Sequence, residues 1–162
     1  MSHPLLDDTP ALRAWRDQTL YRLLLRASRV ETLTTVEGLQ KLGYTDVTTA
    51  DTNLLANLDT AGTTISALAR RAGVTRQAAS QQVAALERAG YIRREPSPDD
   101  GRAFIVIQTE RGRALLGHAL DIVADLETGY EQLLGEEMLT ALKEALAKLL
   151  SVTDSAGALG RD

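Results

Sequence analysis

The segment Tyr91-Ile92-Arg93-Arg94-Glu95-Pro96-Ser97-Pro98-Asp99-Asp100-Gly101-Arg102-Ala103-Phe104-Ile105-Val106-Ile107-Gln108-Thr109 fixes the architecture of this chain. Its two ends, Tyr91 to Glu95 and Ala103 to Thr109, are short and rich in β-branched and aromatic residues, and Pro96, Ser97, Pro98 and Gly101 between them are turn formers. That pattern predicts a β-hairpin with a long tip. Immediately upstream, Thr75 supplies an N-cap for a helix running to Ala89 and closed by Gly90, with Ala79, Val83 and Leu86 at i, i+4 and i+7 on one face. Before that, a short helix starts at Thr63 or Thr64, turns Ile65, Leu68 and Ala69 inward, and ends at Gly73, well placed as a left-handed cap. Two helices joined by the three-residue turn Gly73-Val74-Thr75 form a helix-turn-helix, here followed directly by a hairpin.

Further out the chain is helical. Thr48-Thr49-Ala50-Asp51 has the form of a capping box for a helix carrying Leu54, Leu55 and Leu58 and stopping at Ala61-Gly62. Pro10 suits a first helical turn, and no Gly or Pro interrupts the chain until Gly38, so one long helix is expected from Pro10 to about Gln40. Downstream, a helix from Thr109 or Glu110 to Leu134 is broken by Gly135, and another spans about Glu136 to Leu150. The fold class is mainly α with a small β-hairpin: a winged helix-turn-helix flanked by long N- and C-terminal helices, which the family resemblance set out below implies are dimerisation helices. Residues 1–150 are expected to form a single domain, with the flanking helices at 10–42 and 110–150, the winged region at 48–109, and a flexible tail at 151–162.

Composition narrows the class. The 162 residues, 44% hydrophobic and 25% charged, suit one ordinary globular domain. No apolar run approaches the roughly 18 residues that span a bilayer, and arginines and aspartates interrupt the first thirty residues, so a cytoplasmic location without membrane contact is expected. The absence of cysteine excludes disulfides, thiolate metal sites and thiol redox sensing. The net charge of −4 conceals a division: Thr63 to Arg113 holds nine basic and five acidic residues, net +4, which leaves −8 for the rest. An acidic body with a basic segment leaves one favoured approach for a polyanion.

The helix after the turn then has chemistry to offer. With Ala79, Val83 and Leu86 inward, Gln77, Gln81, Ala84 and Arg88 face outward. A Gln amide donates and accepts at once and can bond adenine N6 and N7 in a major groove that admits one α-helix. Thr75 and Arg76 sit at the helix N-terminus, where free N–H groups, the dipole and a guanidinium favour a phosphate, and small Ala78 permits close approach. Arg94 adds a cation on the first strand. At the hairpin tip Arg102 is suited to a narrow minor groove, and Asp100, two residues earlier, can clamp its guanidinium.

Three stretches carry a family resemblance: Ile65-Ser66-Ala67-Leu68-Ala69-Arg70-Arg71-Ala72-Gly73-Val74-Thr75, Val83-Ala84-Ala85-Leu86-Glu87-Arg88-Ala89-Gly90-Tyr91-Ile92, and Asp100-Gly101-Arg102-Ala103 leading to Thr109-Glu110-Arg111-Gly112. On these the segment from Thr48 to Leu116 resembles the winged-helix core of the MarR family of bacterial transcription regulators. The long helices match that family's dimerisation elements in order and length. Gln108 departs from the pattern, which places an apolar residue before the Thr. The resemblance implies a homodimer whose first helix intertwines with the partner's last two, a palindromic A·T-rich operator in double-stranded DNA, and a repressor released by a small-molecule effector. Family effectors are often small aromatic or phenolic acids bound between body and head, for which Trp15, Arg22 and Tyr44 are the weak candidates.

Other chemistries have little to draw on. His118, Asp121 and Asp125 lie at helical spacing, but three ligands on one helix make a poor zinc site, so no metal and no cofactor are expected. No nucleophile triad, phosphate loop or hydrolase motif occurs, so an enzyme is not expected. A winged-helix protein-interaction module without DNA binding is the alternative; it predicts acidic or bulky apolar side chains where Gln77, Gln81 and Arg102 stand.

Overall fold

The computed structural model describes residues 15–97 and 104–159. The long N-terminal helix is interrupted. After a helical stretch at 15–17, the chain leaves the helix and resumes as α1, Leu20–Lys41. Thr19, with φ −65° and ψ 143°, caps α1 by accepting from the Arg22 N–H, while its hydroxyl donates to the Arg16 carbonyl at 2.8 Å. A Thr that can satisfy both ends locally competes with the helix it was expected to continue, and here it wins. Pro10, the expected start, lies outside the described residues.

The capping box at Thr48 forms as expected, with the Asp51 N–H donating to Thr48 Oγ1 and the Thr48 N–H to Asp51 Oδ2, and opens α2, Thr49–Leu55. This helix ends sooner than the periodicity suggests, leaving half-buried Leu58 just beyond the turn that follows it. Thr63–Thr64 forms a two-residue strand, β1, that no hairpin signal announces. Thr64 then caps α3, Ile65–Ala72, which ends at Gly73 with φ 68° and ψ 28°, the left-handed cap expected there. Thr75 caps α4, Arg76–Arg88. The hairpin strands follow as β2, Ile92–Pro96, and β3, Phe104–Gln108. The sheet is antiparallel in the order β1-β3-β2, with Thr63 opposite Val106 and Arg94 opposite Val106 on the other side. The last helices are α5, Glu110–Leu134, and α6, Glu136–Leu159, the latter longer than the apolar spacing indicated.

Two compact units divide between Ile122 and Val123. The first is built on Leu39, Leu54, Leu68, Val83, Val106 and Leu115, side chains drawn from α1, α2, α3, α4, β3 and α5, all almost fully buried. Burying roughly 1.5–3 kcal/mol of side chain at each such position fixes α3 and α4 as one rigid pair. The second unit begins at Val123 and is helical over its described residues, with Lys143 Nζ 2.8 Å from Glu127 Oε1 tying α6 to α5. Among the described residues no helix is long and apolar enough to cross a membrane.

Candidate nucleic-acid interface

Helix α4 presents a capped end and a polar stripe. Thr75 is extended, φ −70° and ψ 152°, and its Oγ1 accepts from the Ala78 N–H at 3.1 Å. With that donor satisfied, the remaining N–H groups of the first turn and the exposed Arg76 stay available to an anion. Ala79, Val83 and Leu86 are buried, which turns Gln77 and Gln81 outward, and both are exposed. Ala78 is half-buried beside them. Arg88, on the same face, folds back along the helix, its Nε donating to the Ala84 carbonyl at 3.2 Å.

The arginines of β2 are held by carboxylates. Arg94, a candidate DNA contact, reaches back to α4: its Nε lies 3.3 Å from Glu87 Oε2 and its backbone N–H donates to Glu87 Oε1 at 3.1 Å. Arg93 Nε pairs with Glu95 Oε1 at 2.7 Å along the same strand. Asp100 and Arg102, the expected tip pair, lie outside the described residues.

At the root of the hairpin Thr109 stitches three elements. Its N–H and its hydroxyl both donate to the Tyr91 carbonyl at 3.0 Å, the hydroxyl also reaches the Gly90 carbonyl at 2.7 Å, and it accepts from the Gly112 N–H at 3.1 Å. Gly112 has no alternative here, because a Cβ on it would stand 2.0 Å from the Tyr91 oxygen. Tyr91 itself is buried and its phenol donates to Asp46 Oδ1 at 2.5 Å while accepting from Arg111 Nη2 at 3.0 Å. The Arg111 guanidinium also lies 4.6 Å from the centre of the Tyr91 ring. Burial and then the neighbouring Asp46 push the Tyr91 phenol above its usual range, and its bond to Tyr91 holds Arg111 firmly charged.

The effector candidates do not converge within one chain. Tyr44 packs against this cluster, 6.2 Å from the Tyr91 ring and with its hydroxyl 3.0 Å from His118 Nδ1. Arg22 lies in the first turn of α1 and pairs with Asp17 at 3.6 Å. Tyr44 follows the other end of that helix, roughly 30 Å away at 1.5 Å per residue. Trp15, near Arg22 in sequence, is 67% exposed. Among the described residues no group of His, Asp and Glu is placed to hold a metal ion.

Sequence reasoning missed Glu87, the Asp46–Tyr91–Arg111 set, and the pair of Arg71 with Asp59 at 2.8 Å. That guanidinium, against the opposing effect of burial and with help from the Thr63 hydroxyl, holds the Asp59 carboxyl below the usual range. None of these pairs lies at a helix or strand repeat, so periodicity carries no signal for them.

A sequence model described as MarR family matches residues 45–103. No curated protein sequence matches. Among solved structures, wild-type apo MarR from E. coli is 25% identical, covers 82% of this chain and 96% of its own, and superposes with a TM-score of 0.66. The C80S mutant of E. coli MarR complexed with operator DNA is 26% identical, covering 81% and 93%, with a TM-score of 0.67. The transcriptional regulator PA4135 is 25% identical, covering 83% and 97%, with a TM-score of 0.68.

Proposed function

We propose that this chain, a winged helix-turn-helix regulator of the MarR family, binds double-stranded DNA as a homodimer and represses transcription from a palindromic operator. The observation that carries the reading is the exposed Gln77–Gln81 stripe on α4, set opposite a buried Ala79, Val83 and Leu86 and beginning at a capped, cation-flanked N-terminus. Such a helix enters a major groove N-terminus first, with the glutamines on adenine edges and Thr75, Arg76 and the first-turn amides on phosphate, while Ala78 allows close approach. Asp100 and Arg102 extend the contact into the flanking minor groove. A similar protein, the C80S mutant of E. coli MarR, is complexed with operator DNA, which supports DNA as the partner.

Dimerisation is supported by unpartnered apolar side chains. Leu20, Leu23, Leu24 and Val30 on α1, Leu120 and Val123 on α5, and Met138 and Leu142 on α6 are all exposed. Leaving this many large apolar side chains in water is unfavourable, whereas a second copy would cover them. Two-fold symmetry then places two α4 helices in successive major grooves about 34 Å apart. A small aromatic or phenolic acid bound between body and head would release the operator by altering that separation, a coupling worth about 1–3 kcal/mol. With Trp15 and Arg22 at one end of α1 and Tyr44 at the other, a site using all three would have to span two protomers.

Selection of duplexes from a random DNA pool tests the reading. The protein should enrich a two-fold symmetric site, and Gln81→Ala should lose about 1–3 kcal/mol of discrimination at one base pair per half-site with non-specific affinity retained. Enrichment of no sequence, or a uniform loss on all sequences for Gln81→Ala, would overturn it.

A further inference from the structure

We infer that Glu87 is a positioning residue for DNA recognition, a brace that fixes the hairpin to the reading helix through Arg94. This rests on the DNA-binding reading above. β2 leaves α4 through Ala89, Gly90 and Tyr91, and Gly90, with φ 79°, lacks the side chain that would stiffen such a turn. Two main-chain bonds, Gly90 N–H to the Glu87 carbonyl and Tyr91 N–H to the Leu86 carbonyl, both at 3.0 Å, span the bend close to its pivot. Glu87 acts further out, gripping Arg94 twice, through the backbone N–H and through the guanidinium.

The backbone contact has a reason in the sheet. β2 is an edge strand in the order β1-β3-β2, so alternate N–H groups on its outer side have no strand partner. Glu87 fills one of these vacancies from the helix rather than from a strand, and so ties the helix to the hairpin. A carboxylate is the right group, because it accepts a charge-assisted bond from the backbone N–H while pairing with the guanidinium through its other oxygen. A helix in the major groove and a hairpin in the neighbouring minor groove engage together only at one relative angle. A brace between them converts the second contact into a pre-organised one.

A simpler reading of Glu87, as an acidic side chain close to DNA, predicts the opposite sign. Removing a negative charge and freeing Arg94 for phosphate would strengthen binding to every sequence and steepen its salt dependence. Removing a brace weakens binding to the selected site alone.

The experiment uses the full-length protein, the duplex it selects from a random pool, and a scrambled duplex of the same composition, read by fluorescence anisotropy. Glu87→Gln, which keeps an acceptor but loses the charge, should weaken binding to the selected duplex about fivefold, and Glu87→Ala about tenfold or more, with the scrambled duplex unaffected or bound more tightly. In an Arg102→Ala background the Glu87→Ala loss should shrink to less than about threefold, since the brace then has less hairpin contact to aim. Thermal midpoints within about 3 °C of wild type would show that both variants are folded. Three outcomes overturn the inference: tighter binding to both duplexes, an undiminished loss in the Arg102→Ala background, or a parallel loss of midpoint and of affinity for both duplexes. A wild-type protein that selects no duplex would sink the DNA-binding reading itself, a failure distinct from selection by wild type with Glu87 variants unimpaired.

Discussion

Gly112→Ala places a methyl group where the Tyr91 carbonyl already stands. The new Cβ would lie 2.0 Å from that oxygen and 3.0 Å from its carbon, both backbone atoms with no flexible end to swing away. The oxygen is held in place by the Thr109 N–H and hydroxyl, each at 3.0 Å. Relief therefore requires the start of α5 and the α4–β2 turn to part by about 1 Å in a closely packed region. Overpacking of this kind costs roughly 1–3 kcal/mol, and the Thr109 bonds stretched in the process add about 1 kcal/mol. Alanine recovers about 1 kcal/mol through its helix propensity. The net loss is about 1–3 kcal/mol, a large share of the roughly 5–15 kcal/mol that holds a typical domain together. At about 2–4 °C per kcal/mol for a domain of this size, the thermal midpoint should fall by roughly 2–12 °C in calorimetry at fixed protein concentration. Gly117→Ala is the matched control, since it lies in the same helix with nothing within 4 Å of its added Cβ. It should raise the midpoint, by up to about 1 kcal/mol of added stability. The reasoning fails if Gly112→Ala melts at or above the wild-type temperature, or if the two substitutions shift the midpoint alike.

Tyr91→Phe removes a phenol bonded to both Asp46 and Arg111 and should lower stability by roughly 1–3 kcal/mol at neutral pH, measured by urea titration; an unchanged midpoint would mean the cluster holds nothing. Because the folded phenol titrates above 10.0, its contribution is complete below pH 10 and declines as pH rises through the folded value, so the wild-type alkaline limb should be steeper than that of Tyr91→Phe. Asp59, held below 3.8 chiefly by Arg71, contributes stability that is complete above that value and is lost as pH falls through the folded value. Asp59→Asn should flatten the acid limb of the stability curve, and equal slopes for the two proteins would refute the assignment.

What could be read in the sequence follows from how local its cause was. Thr48, Thr64, Thr75 and Gly73 cap their helices within three residues of themselves, and each cap formed as its spacing indicated. The core face of α4 was equally legible, because Ala79, Val83 and Leu86 repeat at helical period and are buried. The break at Thr19 was not, since Leu20, Leu23 and Leu24 continue an apolar helical spacing beyond it and mask a cap that depends on one hydroxyl. β1 is only two residues long and exists through β3, some forty residues away, so no local pattern marks it. Arg94 shows the same limit at the candidate site. Its partner Glu87 lies seven residues back across a turn, where neither helix nor strand period links them.

The central claim, that two α4 helices read one duplex as a symmetric pair, is most directly tested by hydroxyl-radical footprinting of the protein on the duplex it selects. Two protected patches related by two-fold symmetry are expected, their centres about one helical turn apart, with flanking minor-groove protection that weakens in Arg102→Ala. A single asymmetric patch, or uniform protection along the whole duplex, would contradict it.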